Sequence, residues 1–158
     1  MAGEEIIPKL ERLSPEFALV AALETVPVLV NKVAALQPKK DWLPPFAFYI
    51  SDTDNEDQTL DGWSGLQAYS GTLHLVSTSY RGLQALCLRT RQAIRDMRGG
   101  VYSTPEGDLT EPCGKILIEA VDMTQSSPDL FEKEVGYYRR MYTIRLNYQT
   151  EEVFPDED

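Results

Sequence analysis

The chain has 158 residues, 42% of them hydrophobic, which is enough for one domain with its own core. A formal net charge of −10 excludes a dedicated nucleic-acid-binding protein, because such a protein carries a basic surface. No apolar run reaches the length of a membrane span, and the acidic start at Glu4 and Glu5 lacks the basic region of a signal peptide, so we expect a cytoplasmic origin. The two cysteines, Cys87 and Cys113, match no metal-binding spacing.

The N-terminal third predicts two short helices. The Ser-Pro-Glu run at 14–16 is typical of a helix start, with a capping hydroxyl, a proline at the first helical position and an acid in the first turn. Pro27 cannot donate a hydrogen bond within that helix. We therefore predict one helix over 15–25 and a second, opened by Pro27, over 27–36.

An acidic loop follows the first predicted strand, the apolar run at 46–50. The loop at 52–57 was compared with the calcium-binding loop, whose sixth residue is glycine and whose twelfth is glutamate. Those positions are Asp57 and Trp63, so the pattern favours a solvated loop without calcium. The acids of this loop that we consider candidate assembly contacts are Asp52, Asp54, Glu56 and Asp57.

The stretch from 61 to 98 predicts a strand that leads into a helix. In the strand, Tyr69, Leu73 and Leu75 recur at period two on one face, and His74 lies on the other. The Ser-Thr-Ser run at 77–79 offers a cap for the helix. The apolar stripe of that helix is Leu83, Leu86, Cys87, Thr90, Ile94 and Met97.

Arginines give the same helix an excess of positive charge on a different face. Arg91, Arg95 and Arg98 lie there, and Arg81 and Arg89 add to the charge. One interpretation is an ordinary solvated face. The other is a basic strip that meets an acidic loop or tail of a neighbouring subunit, in a head-to-tail contact that closes into a ring.

The rest of the chain predicts two further strands. The segment 101–114 is rich in glycine and proline and predicts a long loop or a small excursion, with a short hairpin as one option. Strands are predicted over 115–124 and 137–149, and the second of these carries Arg139 and Arg145 on its more polar face. Residues 151–158 are predicted to be a disordered acidic tail.

The predicted order is thus αα-β-β-α-β-β. It indicates a two-layer α+β domain over 1–150, with about four mainly antiparallel strands and the helices on one face.

Features of a catalytic site are weak. A lone histidine in mid-strand, as at His74, is more typical of a surface or hydrogen-bonded residue than of a base. A dyad of His74 with Cys87 or Cys113 lacks an activating sequence around the thiol. We expect no catalytic, cofactor-binding or metal-binding residues. The alternatives are a small-molecule-binding or enzymatic α+β domain with a pocket between helix and sheet, and a bacterial adaptor.

Several motifs together resemble one protein family, the tail-completion (tail terminator, head–tail joining) proteins of long-tailed bacteriophages. The motifs are the break at Pro27 followed by Val28-Leu29-Val30, the Leu43-Pro44-Pro45 entry to the first strand, and the turns at Leu60-Asp61-Gly62 and Ser64-Gly65-Leu66. The central strand, the helix opened by Tyr80 and the closing Gly136-Tyr137-Tyr138-Arg139 strand continue the likeness. The segment 99–114 and the residues after Gln149 are less typical of the family.

The resemblance implies a small α+β structural protein that is not an enzyme and has no cofactor. Its members cap the finished tail tube, commonly as a homo-oligomeric ring, and provide the surface to which the head connector joins. The expected partners are tail-tube and head-connector proteins, with no membrane and no specific nucleic-acid binding. The expected location is the virion tail, and the host cytoplasm during assembly. The candidate assembly contacts are Asp52, Asp54, Glu56, Asp57, Arg91, Arg95, Arg98, Arg139 and Arg145.

Overall fold

The computed structural model describes residues 15–52, 67–103 and 113–153. Within these ranges the chain forms two α-helices, α1 (Pro15–Leu23) and α2 (Tyr80–Arg95), and one 3-10 turn at Pro27–Leu29. The strands are β1 (Val33–Ala35), β2 (Phe46–Ser51), β3 (Gln67–Ser77), β4 (Val101–Ser103), β5 (Cys113–Gln125), β6 (Leu130–Glu132) and β7 (Tyr137–Val153).

All seven described strands belong to one curled, mixed sheet with the order β1-β2-β3-β7-β5-β4, and β6 pairs with β7. The β1–β2 pair is parallel and the other pairs are antiparallel. The predicted four-stranded, two-layer sheet with two helices packed on one face is therefore wrong. Strands take up more of the described chain than helices do, and β7 lies at the centre of the sheet.

The sequence prediction missed three short strands, because three residues are too few to show a period of two. The expected helix over 27–36 is only the turn at Pro27–Leu29, after which β1 pairs in parallel with β2. Asn31, which lies between this turn and β1, has a φ of 59°, a left-handed conformation that stops a helix. The segment expected to be a loop after α2 begins with β4, and the turn after β5 leads into β6.

A register shift between Ile118 and Ala120 determines which side chains of β5 face the core. Simple alternation places Val121 and Met123 on the face opposite Ile116 and Ile118. One extra residue in the strand inverts the alternation beyond it. All four apolar side chains therefore face the same core, and β5 has only one apolar face.

Helix α2 begins and ends as its sequence predicts. The Ser79 side chain accepts a hydrogen bond from the Gly82 backbone N–H at 3.0 Å, which caps the first turn. The helix ends at Arg95 with Asp96 as its C-cap, and Gly99, with a φ of 78°, takes the left-handed conformation that stops the turns after it. Between them, all six residues of the predicted apolar stripe are buried.

The main core lies between the two helices and the inner face of the sheet, which we define as the face that α2 covers. The largest of its fully buried side chains are Leu19, Leu23, Leu29, Leu73, Leu75, Leu83, Ile94, Met97, Ile116, Ile118, Tyr142 and Ile144. A smaller cluster covers one end of the outer face, where Phe46, Phe48 and Val76 are buried under Trp42 and Tyr137.

Three hydrogen-bonded side chains, Tyr69, Ser51 and Glu16, lie beside Gly71. The Tyr69 hydroxyl lies 2.8 Å from Ser51 Oγ, which donates a hydrogen bond to Glu16 of α1. Burial of Tyr69 raises the pKa of its phenol to about 12. The ring lies across Gly71, where a Cβ would stand 2.6 Å from the Tyr69 hydroxyl and 3.0 Å from the Ile50 carbonyl oxygen.

We predict that Gly71→Ala destabilises the protein by about 1–3 kcal/mol, because the new methyl displaces the Tyr69 ring. This clash outweighs the entropic gain that alanine normally brings to a strand, about 0.5–1 kcal/mol. Urea unfolding measures the change in the free energy of unfolding. Tyr69→Phe removes the hydroxyl that clashes, so Gly71→Ala should cost less in a Tyr69→Phe background. Equal costs in both backgrounds would contradict this explanation.

Candidate assembly interface

The solvent-facing side of α2 is basic over its whole length. Arg81, Arg89, Arg91 and Arg95 are exposed on the helix, and Arg98 is exposed just beyond it. The one acid in this segment, Asp96, accepts a hydrogen bond from Gln92 Nε2 at 2.9 Å. Within residues 15–52, 67–103 and 113–153, none of these five arginines forms an ion pair. We call this surface the basic helix face.

Leu88 lies in the middle of the basic helix face and is 72% exposed. It is seven residues from both Arg81 and Arg95, so the three side chains share one side of the helix, and Arg91 is the adjacent neighbour at i+3. An apolar side chain surrounded by arginines is typical of a protein-binding surface, in which an apolar centre has a polar rim. The sequence analysis noted the arginines here but not Leu88.

The acidic candidates lie partly outside the described residues, since Asp54, Glu56 and Asp57 are not among them. Asp52 is exposed directly after β2. Its backbone N–H donates to the Ser70 carbonyl oxygen at 2.9 Å, and its carboxylate accepts a hydrogen bond from Ser70 Oγ at 2.8 Å. Asp52 is thus held against β3.

The two arginine candidates on β7 lie on the outer face, on the other side of the sheet from α2. Arg145 is exposed and is paired in register with Ser70 on one side and Asp122 on the other. Arg139 is half-buried and forms an ion pair with Glu132 at 3.1 Å. The structure therefore brings Arg145 close to Asp52, but it separates both β7 arginines from the basic helix face.

Arg140 is the most strongly bound arginine of the chain's described part, and it interrupts the apolar face of β7. It donates two hydrogen bonds to Asp129, Nε to Oδ1 and Nη2 to Oδ2, both at 2.7 Å. This bond lowers the pKa of Asp129, to which Tyr80 also hydrogen-bonds, and raises the pKa of Arg140. The sequence signal for this Arg140–Asp129 pair is a charged residue within the apolar period of a strand, together with an acid in the preceding turn.

His74 and Cys87 cannot form a catalytic pair. Cys87 is buried in the main core on the inner face, where burial raises the pKa of its thiol. His74 projects from the outer face and stacks on Phe48, with ring centroids 4.4 Å apart and an interplanar angle of 7°. The sheet lies between the two residues. The Cys113 side chain is outside the described part of the chain.

No group of three or more histidine, cysteine, aspartate or glutamate side chains in the described residues is arranged to hold a metal ion. No helix in the described ranges has the length and apolar character needed to cross a membrane.

The chain is similar to solved structures at low sequence identity. No family model matches the chain, and no curated protein matches it. The chain is similar to a solved chain in the virion of a native gene transfer agent particle, with 10% identity, 92% of each chain covered and a TM-score of 0.39. A second solved structure, whose name states no function, has 12% identity, covers 96% of this chain and 100% of its own, and has a TM-score of 0.49.

We predict that Asp129→Asn lowers the free energy of unfolding by about 2 kcal/mol or more, because it leaves the largely buried Arg140 guanidinium without its counter-charge. Glu132→Gln is the matched control and should cost less than about 1 kcal/mol, because the Arg139–Glu132 pair is more exposed.

The same pair makes stability depend on pH. Since the folded-state pKa of Asp129 is lowered, the contribution of its carboxylate to stability is present above the ordinary value of 3.8 and is lost as the pH falls below it. Urea unfolding at neutral and acidic pH measures both effects, and equal costs for the two substitutions would contradict this ranking.

We predict a second pH effect, which comes from His74, the one histidine in the sequence. Burial, and then the charge of Arg139, lower the pKa of His74 below 6.5. The neutral His74 side chain therefore contributes its full stability above pH 6.5. This contribution is lost as the pH falls below 6.5, by at most about 1.4 kcal/mol per pH unit. His74→Phe, which keeps a ring against Phe48, should flatten the dependence of the unfolding free energy on pH between pH 7 and pH 5. Equal slopes for the two proteins would rule out this assignment.

Proposed function

We propose that this chain is a structural protein of a bacteriophage or prophage virion that completes the tail. It caps the tail tube as a homo-oligomeric ring and presents the surface to which the head connector joins. The motifs that resemble tail-completion proteins support the proposal, from the Pro27 break to the closing strand at Gly136-Tyr137-Tyr138-Arg139. The protein acts by binding other proteins and has no catalytic role.

The observation that carries the proposal is the basic helix face. Five exposed arginines surround an exposed leucine in a chain whose net charge is −10, and they form no ion pairs within the described residues. Such a surface is complementary to acidic protein segments, and charge complementarity of this kind determines partner choice and register. Its partners are neighbouring copies of the chain and the virion proteins on either side.

The overall charge suits a protein that surrounds a DNA channel without binding the DNA. Acidic side chains that face a channel repel phosphates, so the nucleic acid passes without adhering. We assign this role to the acidic loop at 52–57. The location follows from the role, namely the virion tail, and the host cytoplasm during assembly.

The alternative of an enzymatic or small-molecule-binding domain has less support. General acid catalysis needs a carboxyl group whose pKa is raised by an apolar site. Among the described residues, the carboxyl group with a clearly altered pKa is Asp129, and Arg140 lowers its pKa instead. The sheet separates His74 from the Cys87 thiol, which removes the one nucleophile–base pair that the sequence offered within the described part.

We predict that the triple substitution of Arg91, Arg95 and Arg98 by Gln impairs virion assembly without unfolding the protein. A strain of the encoding phage or prophage that lacks the gene is complemented with each variant, and electron microscopy counts joined and unjoined heads and tails. The triple variant should lower the joined fraction at least about tenfold, the effect of losing about 1.4 kcal/mol of binding free energy. Lys39→Gln with Lys40→Gln, two exposed positions before β2, is the matched control and should complement fully.

Two results would overturn the proposal. The first is normal joining in the strain that lacks the gene. The second is full complementation by the triple variant together with enzymatic turnover that depends on a single side chain.

A further inference from the structure

The last five residues of the sequence have a pattern that matches the basic helix face. They are Phe154, Pro155, Asp156, Glu157 and Asp158, an aromatic residue followed by a proline and three acids. We call residues 154–158 the acidic arm. On α2 and just beyond it, Leu88 is followed by Arg91, Arg95 and Arg98. The acidic arm thus combines an aromatic residue with three acids, and the basic helix face combines an exposed leucine with five arginines, so the two are opposite in charge.

We propose that the acidic arm of one copy binds the basic helix face of a second copy, with Phe154 packed against Leu88 and the acids beside the arginines. The inference rests on the proposed function in one respect, since it requires copies to lie side by side as they do in a ring. It identifies which acidic segment of the neighbour occupies this surface.

The dimensions of the two surfaces agree. From Leu88 to Arg95, the last residue of α2, the helical rise is about 10 Å, at 1.5 Å per residue, and Arg98 lies just beyond it. An extended chain from Phe154 to Asp158 spans about 14 Å, at roughly 3.4 Å per residue. Phe154 can therefore lie on Leu88 while the acids reach the level of the last arginines. Ion pairs between a carboxylate and Arg are stronger than those between a carboxylate and Lys, because the guanidinium binds the carboxylate through two donors.

The arm of the same copy lies too far away to make this contact. Helix α2 runs in the same direction as β7, because the Tyr80 ring packs on Tyr138 near the start of β7, with centroids 6.0 Å apart. At the other end, Gly99 donates a backbone hydrogen bond to the Ile118 carbonyl oxygen at 2.7 Å, and Ile118 is paired in register with Tyr148. The C-terminal end of α2 is thus level with Tyr148.

From that level, Leu88 and the acidic arm lie in opposite directions. Leu88 is eleven residues before Gly99, and the seven of them within α2 alone span about 10 Å along the helix axis. Val153 pairs with Cys113 and lies five strand residues further on, about 17 Å. Phe154 follows Val153 directly, so it would have to cross about 30 Å to reach Leu88 of its own chain, whereas one residue spans less than about 4 Å. The occupant is therefore a second copy.

A contact between two different surfaces has a structural consequence. Each copy offers its arm to one neighbour and its basic helix face to the other, which is a head-to-tail arrangement that closes into a ring when the rotation allows it. Because the contact is charged and exposed, it weakens as salt is added.

A peptide of residues 150–158 with a fluorescent label tests the contact directly. The receptor is the full-length protein with Phe154→Ala, which disables its own arm, and anisotropy at low salt measures the dissociation constant. Leu88→Ala, or Arg91→Gln with Arg95→Gln, should weaken binding at least about tenfold, and a peptide with Phe154→Ala should lose as much. Lys39→Gln with Lys40→Gln is the control and should bind like the parent receptor. No binding, or equal binding by all receptors, would overturn the proposal.

A disulfide trap in the full-length chain tests whether the contact joins two copies. In a Cys113→Ser background, Leu88→Cys with Phe154→Cys should give disulfide-linked chains under mild oxidation, and Thr124→Cys with Phe154→Cys, on the outer face, should not. A disulfide within a single chain would contradict the second-copy assignment. Buried Cys87 is present in every protein compared and serves as the internal reference.

These tests separate the contact from the proposed function. If heads and tails join without the gene but the peptide binds with the expected variant pattern, the proposed function fails and the contact stands. If joining requires the gene but the peptide does not bind, only the contact is overturned.

Discussion

The structure depends on the central position of β7. This 17-residue strand pairs with β3 along one edge and with β5 and β6 along the other, so it links both halves of the sheet. Its inner side chains, Tyr142, Ile144 and Leu146, are almost completely buried beneath the helices. The charge within this apolar row, Arg140, is accommodated because Asp129 meets it with two hydrogen bonds. Without that pairing a guanidinium at this depth would carry a large desolvation cost.

The two sides of the protein differ in what they offer to partners. The two helices α1 and α2 cover the inner face of the sheet. On that side of the molecule, the solvent therefore meets the exposed side of α2, with its arginines and Leu88. The outer face of the sheet is apolar at the end near Phe48 and His74 and polar around Ser70, Asp52 and Arg145. A molecule with distinct surfaces on opposite sides is suited to assemblies in which each copy meets different neighbours.

Much of the local structure could be predicted from the sequence, because it depends on near neighbours in the chain. The Ser79 cap, the apolar stripe of α2 and the end at Gly99 follow from helix geometry, and all are present. The sheet could not be predicted in full. Three-residue strands have no detectable period, and the register shift at Ile118 and Ala120 inverts the simple alternation of faces along β5.

By itself, then, the sequence determined the α2 unit and the basic charge of that helix, since both are written in contiguous residues. Tertiary structure decided the strand order, the parallel β1–β2 pair, the counter-charge of Arg140 and the separation of His74 from Cys87. The physical reason is that these features depend on which elements of the fold meet in space. Their energies come from backbone hydrogen bonds and burial between distant segments, which no local pattern of residues records.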